Sequence, residues 1–526
     1  MFYLRGRHHC RQCSNSVCDS HFCRPLCTAC SDASATEASC TAAAAEQRAA
    51  AAAEGQTAAA VDEQVAAIVS EQAVVAMGER VSAAREAWPA AASQERAAAA
   101  ASADGKARMG KLLTILADSA ATTPRAPPPD VLAERLPPGS RGVSLDALIG
   151  LCDWLQRHGN AHVRPMAFVI DGEGFAESVC SLTAHTGLSL VESLRMIAKR
   201  EGVAHSDLFG PTDNFLSYSR EGSTPAALCE AVENALAEQE AEGVPGPRFT
   251  WLDLLAVPHN LLGGRCGEPA VTEAVSAADA SLAPQEEAIR LTVGALESAS
   301  ELLLFASPLL GAWDAPPHVM LGPDLWPPTA PWRRRGPYAV TRGWCLYELA
   351  TGVQLGLKLR VVLDAADRAG FESTLVEDFD AIVGVLAEVD AAAAQLSSAS
   401  ERQLILAQIG AMPNSLNSVT HSAQSALKEW LSCAGKEALN RLPMEERGTS
   451  KLINQLGMLL EEQGDLEAAE LLHRHALHAR GEALGGMHPE TLISARNLGM
   501  LLYALGDLGS AEPLLRQALQ GQREAR

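Results

Sequence analysis

Closely spaced cysteines near the N-terminus have the pattern of a zinc site. Two CxxC motifs are separated by thirteen residues, and two such knuckles can wrap one tetrahedral Zn²⁺. Seven of the 13 cysteines lie within the first 40 residues, which indicates a metal site rather than a secreted disulfide framework. We therefore predict bound Zn²⁺. The candidate ligands are Cys10, Cys13, Cys27 and Cys30, with Cys18 and His21 as further candidates.

A second candidate site lies in the stretch TRGWCLYEL, from Thr341 to Leu349. Trp344 and Glu348 are four residues apart, so in a helix the ring and the carboxylate share one face. The ring can stack on a planar group, and a carboxylate can stabilise a developing positive charge. The alternative is an ordinary core helix with a solvated glutamate, because most glutamates are exposed.

Short apolar runs surround this stretch and are separated by helix-length connections, which is typical of buried parallel strands. The predicted strands are Asn214 to Ser219, Phe249 to Val257, Glu301 to Ser307 and Lys358 to Asp364. The predicted helices between them are Ala226 to Gln239, Pro284 to Ala299 and Trp344 to Leu355. This βαβ series predicts a parallel sheet covered on both faces.

Ligands of such sheets bind outside the carboxyl ends of the strands. The turn from Ser217 to Arg220 follows the first predicted strand, Asp253 belongs to the second, and Glu348 lies on the helix after the third. We therefore expect these three features to converge at one edge of the sheet.

The segments FLSYSR, FTWLDLLAV and TRGWCLYEL together resemble a Toll/interleukin-receptor (TIR) domain, which would cover roughly Pro211 to Ala366. The resemblance implies a flavodoxin-like α/β fold. In TIR domains that cleave NAD⁺, the catalytic glutamate stands at the position of Glu348, where it would stabilise the ribose cation formed as the nicotinamide bond breaks. Ser217, Arg220, Asp253 and Trp344 are the corresponding pocket candidates. Many TIR domains are instead scaffolds that self-associate, and this alternative stays open.

Two neighbouring segments are less informative. Leu309 to Val340 is a long Pro-rich insert with three tryptophans, so it is either a lid or disordered. Val143 to Val203 has globular composition and is expected to be an accessory element. Its predicted elements are the helices Leu145 to Leu155 and Leu188 to Ile197 and a strand from Met166 to Ile170.

The N-terminal run RHHCRQC, at residues 7–13, resembles the core of the FYVE zinc finger, an endosomal lipid-binding module. The resemblance implies a phosphatidylinositol 3-phosphate site and a second zinc site that includes Cys18, with His21 at a cysteine position of the family. The implied lipid contacts are Arg7, His8, His9 and Arg11. The family's opening CxxC would lie before Met1, and Gly6 replaces a basic residue. The alternative is a lone structural knuckle that binds no lipid.

The overall composition limits the function classes. The formal charge of −22 argues against a nucleic-acid-binding protein, because phosphate contacts need a basic face. No apolar run is long enough to span a bilayer, and no secretory signal peptide is visible. We therefore expect a cytoplasmic protein, which the FYVE resemblance would place peripherally on endosomal membranes.

Low-complexity sequence follows the cysteine-rich end. Ser31 to Ala121 is rich in alanine, which favours helix but provides few large side chains to bury. Val61 to Val81 carries periodic valine and isoleucine, so a weak coiled coil is possible, although a solvated helical spacer is the favoured interpretation. Thr122 to Arg141 is a Pro-rich linker.

The C-terminal region contains an internal repeat with an offset of 42 residues, in which Leu456 to Leu477 recurs as Leu498 to Leu519. Small residues such as Gly457 allow paired helices to approach, and the recurring Gly-Asp dipeptide is expected to form the turn between them. The pattern resembles tetratricopeptide repeats (TPRs), particularly those of kinesin light chains. The resemblance implies a concave surface for a peptide or protein partner. Helices before Thr449 would cap the array, or the array is cut short.

Together these features predict a multidomain protein with one α/β domain among helical segments. The expected parts are a partial FYVE-like zinc finger (1–33), an Ala-rich and Pro-rich linker (34–142), an accessory segment (143–210), a TIR-like domain (211–370), a helical connector (371–447) and two TPR repeats (448–526). The favoured function is an adaptor that joins a membrane-binding zinc finger, a TIR-like signalling module and a repeat platform for a peptide partner. The alternative is an NAD⁺ nucleosidase that uses Glu348 and whose zinc finger and repeats control where and when it assembles.

Overall fold

A computed structural model provides the fold, which is mostly helical with a small mixed sheet. It describes residues 8–9, 16–17, 101–120, 135–158, 172–220, 222–244, 246, 248–259, 264–265, 268–269, 282–309, 312–314, 333–335, 337–396, 399–411 and 415–524. One compact unit spans residues 74–441, and a second contains residues 442–526. Among the described helices, none is both long enough and apolar enough to cross a membrane.

The strands are short, and those of the central sheet are largely buried. They are β1 (His8–His9), β2 (Ser16–Val17), β3 (Gly142–Val143), β4 (Phe209–Gly210), β5 (Asn214–Ser217), β6 (Thr250–Trp251), β7 (Gly264–Arg265), β8 (Glu268–Pro269), β9 (Glu301–Phe305), β10 (Ala312–Asp314), β11 (Arg333–Arg335) and β12 (Lys358–Val362).

The central sheet has the strand order β12-β9-β5-β6-β3-β4. The strands β12, β9, β5 and β6 are parallel, whereas β3 is antiparallel to both β6 and β4. The chain runs from β5 outward to β6 and then returns past β5 to β9, so the direction of winding reverses between β5 and β9. A reversal of this kind leaves a crevice at the carboxyl ends of the two strands.

The helices of the larger unit connect and cover these strands. They are α1 (residues 101–120), α2 (Leu145–His158), α3 (Gly172–Thr183), α4 (Leu190–Arg200), α5 (Pro225–Ala241), α6 (Asp253–Ala256), α7 (Leu282–Leu296), α8 (Gly343–Gln354), α9 (Ala365–Glu377), α10 (Phe379–Ala387), α11 (Ala399–Ala411) and α12 (Ser415–Arg441). The predicted order of strands and helices is therefore present between β5 and β12.

Two sequence-based expectations for the sheet need correction. The predicted strand from Phe249 to Val257 is only the two-residue β6, followed by the one-turn helix α6. A short apolar run does not distinguish a buried strand from a buried helical turn, so periodicity could not separate them. The expected parallel sheet is also mixed, because β3 and β4 from the preceding segment extend it. The predicted strand from Met166 to Ile170 lies outside the described residues.

Helix α1 belongs to the alanine-rich stretch for which the composition favours a solvated spacer. The structure differs here, because Met109, Leu112, Leu113 and Leu116 are buried in the same core as residues of α2, α4 and β5. Full burial of a leucine side chain contributes about 1.5–3 kcal/mol relative to exposure. These four side chains are therefore sufficient to anchor the helix despite the alanine around them.

Arg141 ties the end of the Pro-rich segment to the sheet. Its side chain is 1% exposed, forms an ion pair with the buried Glu192 at 2.8 Å and donates to the carbonyls of Leu136 and Ala256. Glu192 in turn accepts from the Ser189 backbone and hydroxyl at the start of α4, which forms a capping box. This network connects β3, α4 and α6.

The smaller unit is helical. Its helices are α13 (Met444–Arg447), α14 (Lys451–Gln463), α15 (Leu466–Leu484), α16 (Pro489–Leu505) and α17 (Leu508–Glu524). The first residue after α14 and the first after α16 are Gly464 and Gly506, with φ angles of 85° and 86°. Such left-handed positions favour glycine and end the helices, so the predicted Gly-Asp turns are confirmed.

The repeat also explains its internal small residues. A Cβ added to Gly457 would lie 2.6 Å from the ring of His473, and one added to Gly499 would lie 2.9 Å from Leu515. The two contacts are equivalent in the two repeats, because Gly499 and Leu515 lie 42 residues after Gly457 and His473. In each repeat the glycine packs against the following helix. The predicted close approach of paired helices is thus confirmed.

Candidate functional site

The carboxyl edge of the parallel strands brings Glu348 and Ser217 together. Ser217 is the last residue of β5, and its hydroxyl donates to Glu348 Oε2 at 2.6 Å. Glu348 lies on α8, whose start is fixed by backbone hydrogen bonds that Gln395 exchanges with Gly343 and Thr341. The convergence expected from the sequence is therefore present for this pair, at the point where the winding of the sheet reverses.

Both members of the pair are buried. Ser217 is 1% exposed and Glu348 is 7% exposed. Burial raises the pKa of Glu348 to about 8, an effect that the Ser217 hydrogen bond opposes and the charge of Asp253 increases. At neutral pH this carboxyl is therefore mostly protonated, and it ionises as the pH approaches 8 and above.

Asp253 forms a second polar cluster beside the same edge. It is the first residue of α6, and its carboxylate lies 3.5 Å from the guanidinium of Arg220. Burial alone would raise the pKa of Asp253, but Arg220 and His259 hold it below its ordinary value. The His259 ring contacts the Asp253 carbonyl oxygen at 3.1 Å, and burial next to Arg220 lowers the His259 pKa to about 4. This cluster thus contains an ionised acid and a neutral imidazole.

Tyr218 and Cys345 are buried beside these side chains, and the sequence did not single them out as functional. The Cys345 thiol donates to the Tyr218 carbonyl oxygen at 3.3 Å, next to the Ser217 and Glu348 pair. Burial and the neighbouring Glu348 raise the Cys345 pKa. Burial and the charge of Asp253 likewise raise the Tyr218 pKa. The only sequence signal for Tyr218 was its place in the turn after the first strand.

The remaining pocket candidate, Trp344, is half-buried on α8. Its ring packs edge-on against Tyr347, with ring centroids 6.5 Å apart. The helical spacing does place Trp344 one turn before Glu348, as expected. The described contact of the ring is therefore with its own helix.

The predicted zinc ligands and most of the lipid-contact residues lie outside the described residues. Only the backbone pairing of His8–His9 with Ser16–Val17 is described in this region. Within the described part of the chain, no cluster of three or more histidine, cysteine or acidic side chains is arranged to hold a metal ion. The zinc site therefore stays a prediction from cysteine spacing.

The repeat unit presents apolar side chains on the first helix of each repeat. Met458 on α14 and Met500 on α16 occupy equivalent positions 42 residues apart, and both are exposed. Ile493 and Tyr503 are also exposed and share one face of α16 with Met500, because their spacings of seven and three residues are helical. Exposed apolar groups on adjacent helices form a surface on which another protein can bury them.

Comparison with known families identifies this C-terminal segment. Residues 448–524 match the tetratricopeptide repeat family, in agreement with the 42-residue repeat and the two helix pairs. These repeats support a role as a protein-interaction platform. Neither the comparison with curated proteins nor that with solved structures gave a significant match.

Proposed function

We propose that the protein is a modular adaptor, in which the repeat unit binds a protein partner and the remaining modules determine where and with what it assembles. The repeat-family match over residues 448–524 carries this proposal. The exposed Met458, Met500 and Tyr503 supply the apolar groups that such a surface needs.

Affinity capture with full-length protein tests this part. The wild type is compared with a Met458→Ser, Met500→Ser, Tyr503→Ser variant and with a Leu484→Ser control, which alters an exposed apolar residue on the second helix of the first repeat. We expect direct partners, verified with purified components, to be lost from the triple variant and retained by the control. If the triple variant binds the same purified partners as tightly as the wild type, this surface is not the binding site.

The zinc finger is the second part of the proposal, supported by the two CxxC motifs. Cys10, Cys13, Cys27 and Cys30 would hold one Zn²⁺, and the basic residues around His8 would direct the protein to endosomal membranes with phosphatidylinositol 3-phosphate. Elemental analysis of full-length protein and of a Cys10→Ser variant tests the metal. Retention of the protein by liposomes with this lipid, compared with retention by phosphatidylserine liposomes, tests the lipid specificity. Equal retention by both would leave only general electrostatic attraction.

A second candidate function is cleavage of NAD⁺ by the TIR-like part of the larger unit. The observation in its favour is the buried Glu348 next to Ser217, at the edge where the sheet reverses its winding. Departure of nicotinamide leaves positive charge on the ribose, and the ionised Glu348 would stabilise it. Ser217 would hold the carboxylate in place until a ribose hydroxyl replaces it. The zinc finger and the repeats would then control where and when the enzyme assembles.

Release of nicotinamide from NAD⁺ by full-length protein tests this function. Glu348→Gln should abolish release, whereas Glu297→Gln, which changes an exposed glutamate of the same unit, should leave it unchanged. Because the ionised carboxylate is required, the wild-type rate should rise as the pH approaches 8. No release by the wild type, even when the protein is crowded or tethered, would eliminate the enzyme and leave the adaptor.

A further inference from the structure

Two buried thiols face each other between helices α2 and α5. The Sγ atoms of Cys152 and Cys229 are 3.3 Å apart, although the residues are 77 positions apart in the chain. Cys152 is 7% exposed and Cys229 is 8% exposed, and both are free thiols. Their helices pack within one hydrophobic core. A disulfide has an S–S bond of about 2.05 Å, so the two sulfur atoms need to approach by little more than about 1 Å.

Cys345 and Cys433 of the same unit do not share this arrangement. Cys345 donates to a backbone carbonyl, and Cys433 is exposed on α12. Cys180 is buried on α3. The described contacts therefore distinguish the pair of Cys152 and Cys229 from Cys345 and Cys433. Leucine or alanine would fill the same core without reactive sulfur.

We propose that Cys152 and Cys229 form a reversible disulfide when the protein meets a peroxide. One thiol loses its proton, the thiolate attacks an oxygen of hydrogen peroxide, and the O–O bond breaks to give a sulfenic acid. The departing hydroxide takes up a proton and leaves as water. The second thiol then attacks that sulfur, the S–S bond forms, and water leaves. Two thiols are oxidised by two electrons in total, and one hydrogen peroxide is reduced to two molecules of water. A dithiol reductant reverses the reaction.

The surroundings make this pair slower to oxidise than an exposed thiol. The hydrogen bond with Cys152 and burial both raise the pKa of Cys229, and the nearby Asp153 and Glu233 act in the same direction. Since the thiolate is the reactive form, the pair should respond to sustained rather than brief oxidant exposure. Once formed, the bond closes a long loop and joins α2 to α5, so it should raise the thermal midpoint of the larger unit by a few degrees.

Peptide mapping without reduction tests the proposal on full-length protein. After peroxide treatment, free thiols are alkylated and the protein is digested with trypsin. Cys152 and Cys229 lie alone in the tryptic peptides 142–157 and 221–248, which separates them from the N-terminal cysteines. We expect these two peptides to appear linked, with the loss of two hydrogen atoms, and to separate again after dithiothreitol. Cys433→Ser should not affect the link, and Cys152→Ser should abolish it.

The exposed Cys433 also serves as an internal measure of oxidation. If peroxide exposure continued well beyond full oxidation of Cys433 still leaves peptides 142–157 and 221–248 separately alkylated, the proposal is overturned. Equal linkage of Cys152 to Cys180 or Cys345 would also overturn it, because that would indicate oxidation after unfolding. Both of these outcomes are measured on the wild-type protein, so the test remains valid even if Cys152→Ser folds poorly.

Discussion

Glu348 and His473 are both buried polar side chains, but their hydrogen-bond partners lie at very different distances along the sequence. The partner of Glu348 is Ser217, which is 131 residues away. The His473 ring, which is 0% exposed, contacts Asn454 and Glu461, only 19 and 12 residues away. The site in the larger unit is thus assembled from distant segments, whereas buried polar contacts of the repeat unit join residues closer in sequence, such as Asn454 and Ser494, which are 40 residues apart.

This difference determines how each region should respond to change. In the repeat unit a substitution acts on neighbouring helices, as the contacts of the buried Arg480 with Ser450 and Ser494 indicate. The equivalent position 42 residues away provides a second test. In the larger unit a single buried charge can connect several elements, as Arg141 does through Glu192, Leu136 and Ala256. We therefore expect the largest losses of stability in the larger unit.

The largest effect is expected for Arg141→Met. This change leaves Glu192 buried without its ion-pair partner, which costs about 3–5 kcal/mol in comparable sites. All eight tryptophans lie between residues 74 and 441, so urea unfolding followed by tryptophan emission reports on the larger unit.

Arg290→Met is the matched control, because Arg290 pairs with Glu287 on the surface of α7 and such pairs contribute at most about 1 kcal/mol. Equal shifts of the tryptophan transition in the two variants would contradict the role given to the buried pair.

The next effect concerns the pH dependence of stability. The folded pKa of Glu348 is about 8 against an ordinary value of 4.5, so between these limits the folded protein holds a proton that the unfolded chain releases. The free energy of unfolding should therefore fall as the pH rises through this range. Glu348→Gln should remove that part of the fall and make the variant more stable than the wild type by a few kcal/mol at about pH 9.

Glu297→Gln is the control for the pH effect, and unfolding by urea at a series of pH values is the measurement. Superimposable pH profiles for the wild type and Glu348→Gln would show that this carboxyl ionises at its ordinary pKa.

A smaller effect, with opposite signs at two glycines, is expected in the repeat unit. Gly457→Ala places a Cβ against the His473 ring and should destabilise the unit by about 1–2 kcal/mol. Gly481→Ala in α15 meets no atom within 4 Å and should stabilise the helix by up to about 1 kcal/mol. Thermal unfolding followed by far-ultraviolet circular dichroism measures both. Shifts of the same sign would argue against the close approach at Gly457.

The smallest effect on stability is expected at the exposed methionines. Met458→Ser and Met500→Ser change side chains that are about half exposed, so the free energy of unfolding should change by no more than about 0.5 kcal/mol. Differential scanning calorimetry of the double variant checks this. A large loss would mean that these side chains are part of the core, and their use as a binding surface would then be excluded.

The repeat fold and the order of strands around Glu348 were predictable from the sequence, because both depend on local patterns. Helix pairs repeat every 42 residues, and the four parallel strands appear as apolar runs separated by helical lengths. The nature of β6 and α6 was not predictable, since a short buried run fits either conformation. The buried anchor side chains of α1 were also missed, because alanine dominates the composition around Met109 and Leu112.

By itself the sequence determined that a helix with Glu348 follows the third strand, that a 42-residue repeat lies near the C-terminus and that seven cysteines lie within the first 40 residues. Only the tertiary structure decided that Glu348 meets Ser217, that Arg141 meets Glu192 and that Cys152 meets Cys229. Each of these contacts joins residues far apart in the chain, and the sheet and its packed helices create them together. A sequence records spacing along one chain, whereas burial and the pKa it produces depend on every segment that packs around a side chain.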